Sequence, residues 1–180
     1  MRNWNVLVTV LPTRGGTHAL LGALSSLGEF HGTSFKDVCV GRVEDQEKFF
    51  GALLDAMHSG KRWFRHVGRV VPIAHTFQFT VESLVEQLTE AVTQLAREIR
   101  GGTCFVRLER RGLHGEVHTT DLEHAVADHL FSLVQAQGGS LRTSFHDPDY
   151  ILVAETLGNE CGVGLITRDL RARFPFIRVR

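Results

Sequence analysis

Residues 84 to 108 constrain the fold more than any other stretch of this chain. Leu84, Val85, Leu88, Val92, Leu95, Ala96 and Ile99 recur at helical spacing, and Gly101-Gly102 stops them. Cys104, Val106 and Leu108 then alternate with Phe105, Arg107 and Glu109. The first pattern is the apolar face of a helix and the second a half-buried strand, so the class is α/β or α+β.

The same alternation runs through the rest of the chain. Trp4 to Val10 reads as a strand. Leu20, Leu21, Leu24 and Leu27 form a helical stripe that Gly28 can stop. Residues 30 to 43 are extended, with polar turn material inside them. Phe49, Phe50, Leu53, Leu54 and Met57 are a second stripe, closed by Gly60. Val67 to Phe79 is extended again, and Pro72 argues against a central position for it. The first 79 residues therefore read β-α-β-α-β, with room for one more strand in 30 to 43 or 61 to 79. Further on, Thr120 and Glu123 form a capping-box pattern before a helix burying Leu122, Ala125, Val126, Leu130 and Leu133. Gly138-Gly139 ends that helix. Ile151 to Ala154 is apolar on both faces, as a central strand is. Residues 162 to 167 and 176 to 179 are shorter extended candidates. Two small sub-domains are expected, meeting near residue 80 of the 180.

Composition excludes several classes. The 43% hydrophobic content supports a core, and 20 basic residues balance 20 acidic ones. No overall charge pulls the chain toward nucleic acid or membrane, so such binding must come from local segregation. No apolar run has the length of a membrane span, and MRNWNVLVTV lacks a signal cleavage site. Cys39, Cys104 and Cys161 are odd in number and far apart, which argues against a disulfide framework and for a reduced, cytoplasmic protein.

Candidate chemistry is sparse. FHDPDYILVAETLG places Asp147 and Asp149 on either side of Pro148. They could share a metal or act as an acid/base pair, but Glu155 lies about 20 Å farther along an extended segment, and a turn whose Asp147 is extended is the better reading. His114 and His118 have a gap that suits a zinc pair, but Gly112 and Gly115 make that stretch a loop, and His124 and His129, five apart, fall on different helix faces, so no zinc motif emerges and no metal is expected. His129 falls within its helix's apolar stripe, as a hydrogen-bonded, partly buried residue does. No GxSxG elbow or paired cysteine offers a nucleophile, so no catalytic residue is assigned. PTRGGTHALL leads from the first strand to the first helix, with Thr17 as N-cap. Gly15, Gly16 and Arg14 there could hold a phosphate, or form a plain turn.

Positive charge is segregated. No acidic residue lies between Asp55 and Glu82, while Lys61, Arg62, Arg65 and Arg69 do. Arg107, Arg110 and Arg111 are a second group, and Arg168, Arg171, Arg173, Arg178 and Arg180 a third. These are either solvated surface or, if they converge, a face for nucleic-acid phosphates.

The second half resembles a THUMP domain, an RNA-binding module of tRNA-modifying proteins. The resemblance is carried by the helix at 82 to 99, FVRLERRG at 105 to 112, the helix from Thr120, and FHDPDYILVAETLG. Arg110, Arg111 and Gly112 match the family's RRG-like strand end. Asp147, Pro148, Asp149 and Glu155 match its (N/D)PD turn and following strand. The first half looks like the ferredoxin-like domain that precedes THUMP, VGRVVPIAHTF is similar to the junction passage of stand-alone members, and TRDLRARFPFIRV looks like their end. The resemblance implies an α+β fold (an α/β sandwich). Its parts are an N-terminal ferredoxin-like β-α-β sub-domain over 1–79 and a THUMP domain over 80–180, with a central mixed sheet flanked by helices. It implies tRNA as partner, bound at the acceptor stem and 3′ end, with no cofactor. This chain has no room for the usual catalytic domain, so it resembles the adaptor branch that assists a separate modifying enzyme such as a cytidine acetyltransferase. Arg14, Lys61, Arg62, Arg65, Arg69, Arg107, Arg110, Arg111 and Arg168 are the expected RNA contacts. A small enzyme with a phosphate site at Gly15-Gly16, or a protein-interaction module, is the alternative.

Overall fold

In the computed structural model, which describes residues 3–180, the valine-rich segment after Trp4 is strand β1, Val6–Val10. Val6, Leu7 and Val8 are wholly buried, because β1 lies inside a four-stranded antiparallel sheet. Helix α1, Gly16–Leu24, leads to β2, Glu29–Gly32, and β3, Val38–Arg42. Helix α2, Gln46–His58, leads through a 3-10 turn, Arg62–His66, to β4, Val67–Pro72. The strand order β2-β3-β1-β4 and the β-α-β-β-α-β succession are the ferredoxin-like, split β-α-β arrangement. The additional strand of this sheet therefore falls in the 30 to 43 region. Pro72, which cannot donate to a ladder, sits on edge strand β4 as its chemistry requires. Asp45 caps α2 by accepting from the Lys48 N–H at 3.0 Å, and left-handed Gly60 follows the helix. Helix α1 stops at Leu24 instead, and Gly28 is not left-handed.

The second sheet is mixed, in the order β5-β9-β8-β6-β7. Its strands are β5 His75–Gln78, β6 Gly102–Glu109, β7 Leu141–Thr143, β8 Tyr150–Leu157 and β9 Glu160–Thr167. β6 runs parallel to β7 and β8, while β9 is antiparallel to β8 and β5. Helices α3, Leu84–Leu95, and α4, Thr119–Ala136, share a core with one face of this sheet. Leu84, Leu88, Val92, Leu95, Val126, Leu130 and Val134 meet Cys104, Val106, Leu108, Leu152 and Ala154 there. Burying each such aliphatic side chain stabilises the fold by about 1.5–3 kcal/mol. Ile151 to Ala154 is buried throughout, as a central strand demands. Val85 and Ala125 depart from the expected stripes and face solvent.

The capping-box expectation fails. Helix α4 starts one residue earlier, at Thr119, with no side-chain cap. Glu123 accepts instead from the Leu108 N–H, at 2.8 Å. β7 pairs with β6 only as far as Cys104, so that donor has no strand partner and a carboxylate takes the strand's place.

The chain forms two compact units, one running to Ile73 and completed by Leu170–Arg180, the other spanning Ala74–Asp169. This partition differs from a single cut between 79 and 80 at both ends. The extended stretch 67 to 79 is two strands in two sheets, since β5 joins β9. The last residues are not the expected strand. After α5, Arg168–Arg173, Val70 donates its N–H to the Phe176 carbonyl at 2.8 Å, and Val70 and Ile177 form an isolated parallel bridge. Among the described residues no helix is long and apolar enough to cross a membrane.

Candidate nucleic-acid interface

The loop after β1 turns into α1 through Gly15, whose φ of +72° is a left-handed conformation that glycine adopts without penalty. The helix begins at Gly16 with no side-chain cap, so Thr17 does not play the expected role. The loop is tied to the 3-10 turn. Thr13 Oγ1 and His66 Nδ1 are hydrogen-bonded at 2.7 Å, and the Leu11 N–H donates to the His66 carbonyl at 2.8 Å. His66 is buried, so this tie is shielded from water. Arg14 is exposed on the loop, and Lys61, Arg62 and Arg65 are exposed on or beside the turn. Trp63 and Phe64, half-buried between those cations, anchor the turn: Phe64 packs edge-on to Phe176, 6.0 Å between centroids. Four of the nine expected contacts are thus exposed cations on two hydrogen-bonded segments. Arg69 is not among them, because it is buried on β4.

In the other unit the expected arginines are engaged with protein. Arg111 donates from Nη1 to Glu155 Oε2 at 2.5 Å, where Glu155 is 1% exposed. Arg110 donates from Nη1 to the Leu113 carbonyl at 2.9 Å. Arg107 lies over the Phe105 ring, 5.7 Å from its centroid, and 3.7 Å from Glu123. Arg168 donates to Asp149 Oδ1 at 2.7 Å and to the Asp147 carbonyl at 2.5 Å.

The two aspartates serve architecture. Asp149 Oδ2 accepts from both the N–H and the hydroxyl of Thr103, each at 2.8 Å. Those hydrogen bonds first, then the Arg168 and Arg142 charges, hold its carboxyl below the usual aspartate range. Gly102 is required beside it: φ is +122°, and a Cβ there would stand 2.5 Å from Asp149 Oδ2. Asp147 is not extended as its place before proline implies; its φ is +42°, a region aspartate tolerates. Among the described residues no group of His, Cys, Asp or Glu could hold a metal ion.

His129 is half-buried and hydrogen-bonded through Nε2 to Thr93 Oγ1 at 2.9 Å. All three cysteines are buried, and burial pushes the Cys39 and Cys104 thiols up to about 12 and Cys161 higher still. Such thiols stay protonated at neutral pH and are inert as nucleophiles. Open depressions of about 420 and 680 Å³ lie on the first unit, lined by residues that include Glu44, Asp45, Lys48, Glu29 and Arg42; neither includes Gly15 or Gly16. One conspicuous residue has no counterpart among the sequence expectations. Phe145 is 75% exposed, and its only sequence signal is being a lone aromatic in the polar run SFHDPD.

No family model matches the chain, and no curated protein sequence does. Solved structures match its fold. PH1313 from Pyrococcus horikoshii Ot3 superposes over 91% of this chain and 55% of its own, with TM-score 0.60 and 12% identity. TrmN from Thermus thermophilus matches over 91% and 45%, with TM-score 0.59 and 15% identity. A 4-thiouridine synthetase in complex with RNA and bound ATP matches over 91% and 41%, with TM-score 0.59 and 9% identity. The chain spans about half the length of these structures or less. At such identities the likeness concerns the fold, and it supports a THUMP-like one.

Proposed function

We propose that this protein binds RNA of the tRNA class, at the acceptor stem and 3′ end, and presents it to a separate modification enzyme. The observation that carries the reading is the tie between the Arg14 loop and the Lys61–Arg65 turn, which groups four exposed cations with aromatic anchors between them. Phosphate contacts supply most RNA affinity, and a structured RNA is read by shape and backbone. The fold shared with an RNA-bound 4-thiouridine synthetase supports the same partner. Arg110, Arg111 and Arg168 enter this reading as residues that shape the second unit, since each guanidinium already donates to protein oxygens. Acting without catalysis of its own, in the cytoplasm, and for an enzyme such as a cytidine acetyltransferase, is the part that rests on the resemblance to adaptors.

Titrating tRNA at several salt concentrations tests the reading. Affinity falls steeply with salt, and replacing Arg14, Lys61, Arg62 and Arg65 together by Gln lowers the slope of log K against log salt by about 3. Salt-independent binding, or a quadruple variant that binds like wild type, contradicts the interface. For the adaptor part, adding the protein to an acetyltransferase and tRNA raises modification only if the assignment is right.

A further inference from the structure

Phe145 lies in the link between β7 and β8, and its ring stays exposed although both flanks are fastened. Ser144 donates its N–H to the Cys104 carbonyl at 3.3 Å and its hydroxyl to the His146 carbonyl at 2.9 Å. Beyond it, Pro148 is buried and Asp149 is held by Thr103. The ring rests against Phe105, with centroids 5.5 Å apart and planes at 41°, and Phe105 is itself 8% exposed. An exposed aromatic on a buried one, in a fastened link, is a preformed surface.

Asp147 and Asp149 follow Phe145 in the same link, and two arginines lie on the same side of β6 and β7 as Phe105. Arg107 lies over the Phe105 ring, and its buried Nε has no hydrogen-bond partner. Arg142, exposed on β7, is near enough to act electrostatically on Asp149. No second exposed large apolar side chain of this unit joins the surface: Val85 is on α3, which packs on the face bearing Cys104 and Val106, and Phe105 alternates to the other face. One π-face flanked by arginines suits a flat base carrying a phosphate better than an apolar protein surface.

We propose that Phe145, backed by Phe105 and flanked by Arg107 and Arg142, is a stacking platform for one unpaired nucleobase of the bound RNA. This rests on the RNA-binding reading and assigns a base contact within it. Unpaired bases are what such surfaces recognise, since bases inside a duplex present no free face.

The test uses the full chain and two RNA hairpins with the same duplex, one blunt and one with a single-stranded extension carrying 2-aminopurine. Wild type binds the extended hairpin more tightly and changes the 2-aminopurine fluorescence. Phe145→Ala and Phe145→Leu weaken that binding at least about fivefold and abolish the fluorescence change, while Phe145→Trp retains both. None of the three alters binding to the blunt hairpin. The platform is overturned if Phe145→Ala binds the extended hairpin like wild type, or loses equally on both RNAs. Wild type binding neither hairpin removes the RNA reading and the platform together, a result distinct from an RNA-binding protein indifferent to Phe145.

Discussion

Arg111 was expected at a phosphate and is found against Glu155, a carboxylate with almost no exposure. Leaving a charged group alone in a protein interior is costly, and here each side chain supplies the other's hydrogen-bond partner. The Arg111 N–H also donates to Thr156 Oγ1 at 3.1 Å, so the residue holds the end of β6 to β8 twice. Arg111→Met is expected to destabilise the protein by about 3–5 kcal/mol in urea unfolding, because it strands Glu155. The double variant with Glu155→Leu recovers most of that loss; a double variant no better than the single one contradicts a buried pair. Arg14, Lys61, Arg62 and Arg65 differ because nothing in their sequence neighbourhood is acidic, and they do remain on the surface. Local absence of acidic residues made those four legible, but it did not distinguish Arg69, which lies in the same acid-free window and is buried on β4. Nor was the engagement of Arg111 legible, since its partner lies 44 residues away.

Among the elements, Asp149 at the start of β8 joins three strands: it accepts from Thr103 on β6 and from Arg168, just past β9. Its carboxyl titrates below its value in the unfolded chain, so the unfolded state takes up the proton first as pH falls. The stability it contributes is therefore complete above about pH 4 and is lost as pH drops through the folded value. Asp149→Asn, which cannot titrate, is expected to be less stable than wild type at pH 7, with a gap that narrows as pH falls below about 4. An equal gap across that range, measured by denaturant melts, rules this account out. Helices α3 and α4 and strands β6 and β8 were legible because their apolar periodicity reports a local geometry. The caps were not. Thr120 and Glu123 have capping-box spacing, yet Glu123 serves a strand N–H that only the three-dimensional edge of β6 creates.

For the whole molecule, the return of the C-terminal segment matters most. Phe174 and Phe176 are buried, the first packing on Phe50 at 5.4 Å and the second on Phe64. Each large aromatic removed from a core costs about 3–5 kcal/mol. Removing residues 174–180 is expected to speed hydrogen exchange at β1 and β4 amides while β8 amides stay protected, as two separate compact units imply. Equal loss of protection in β8 contradicts that independence. By itself the sequence determined a mixed α and β class, the four longer helices and the segregation of positive charge, all properties of neighbouring residues. Only the tertiary structure decided that 67 to 79 divides between two sheets, that the chain's end returns to the first unit, and that Thr13 meets His66 across 53 positions. Those outcomes depend on contacts between segments far apart in the chain, which local periodicity does not encode.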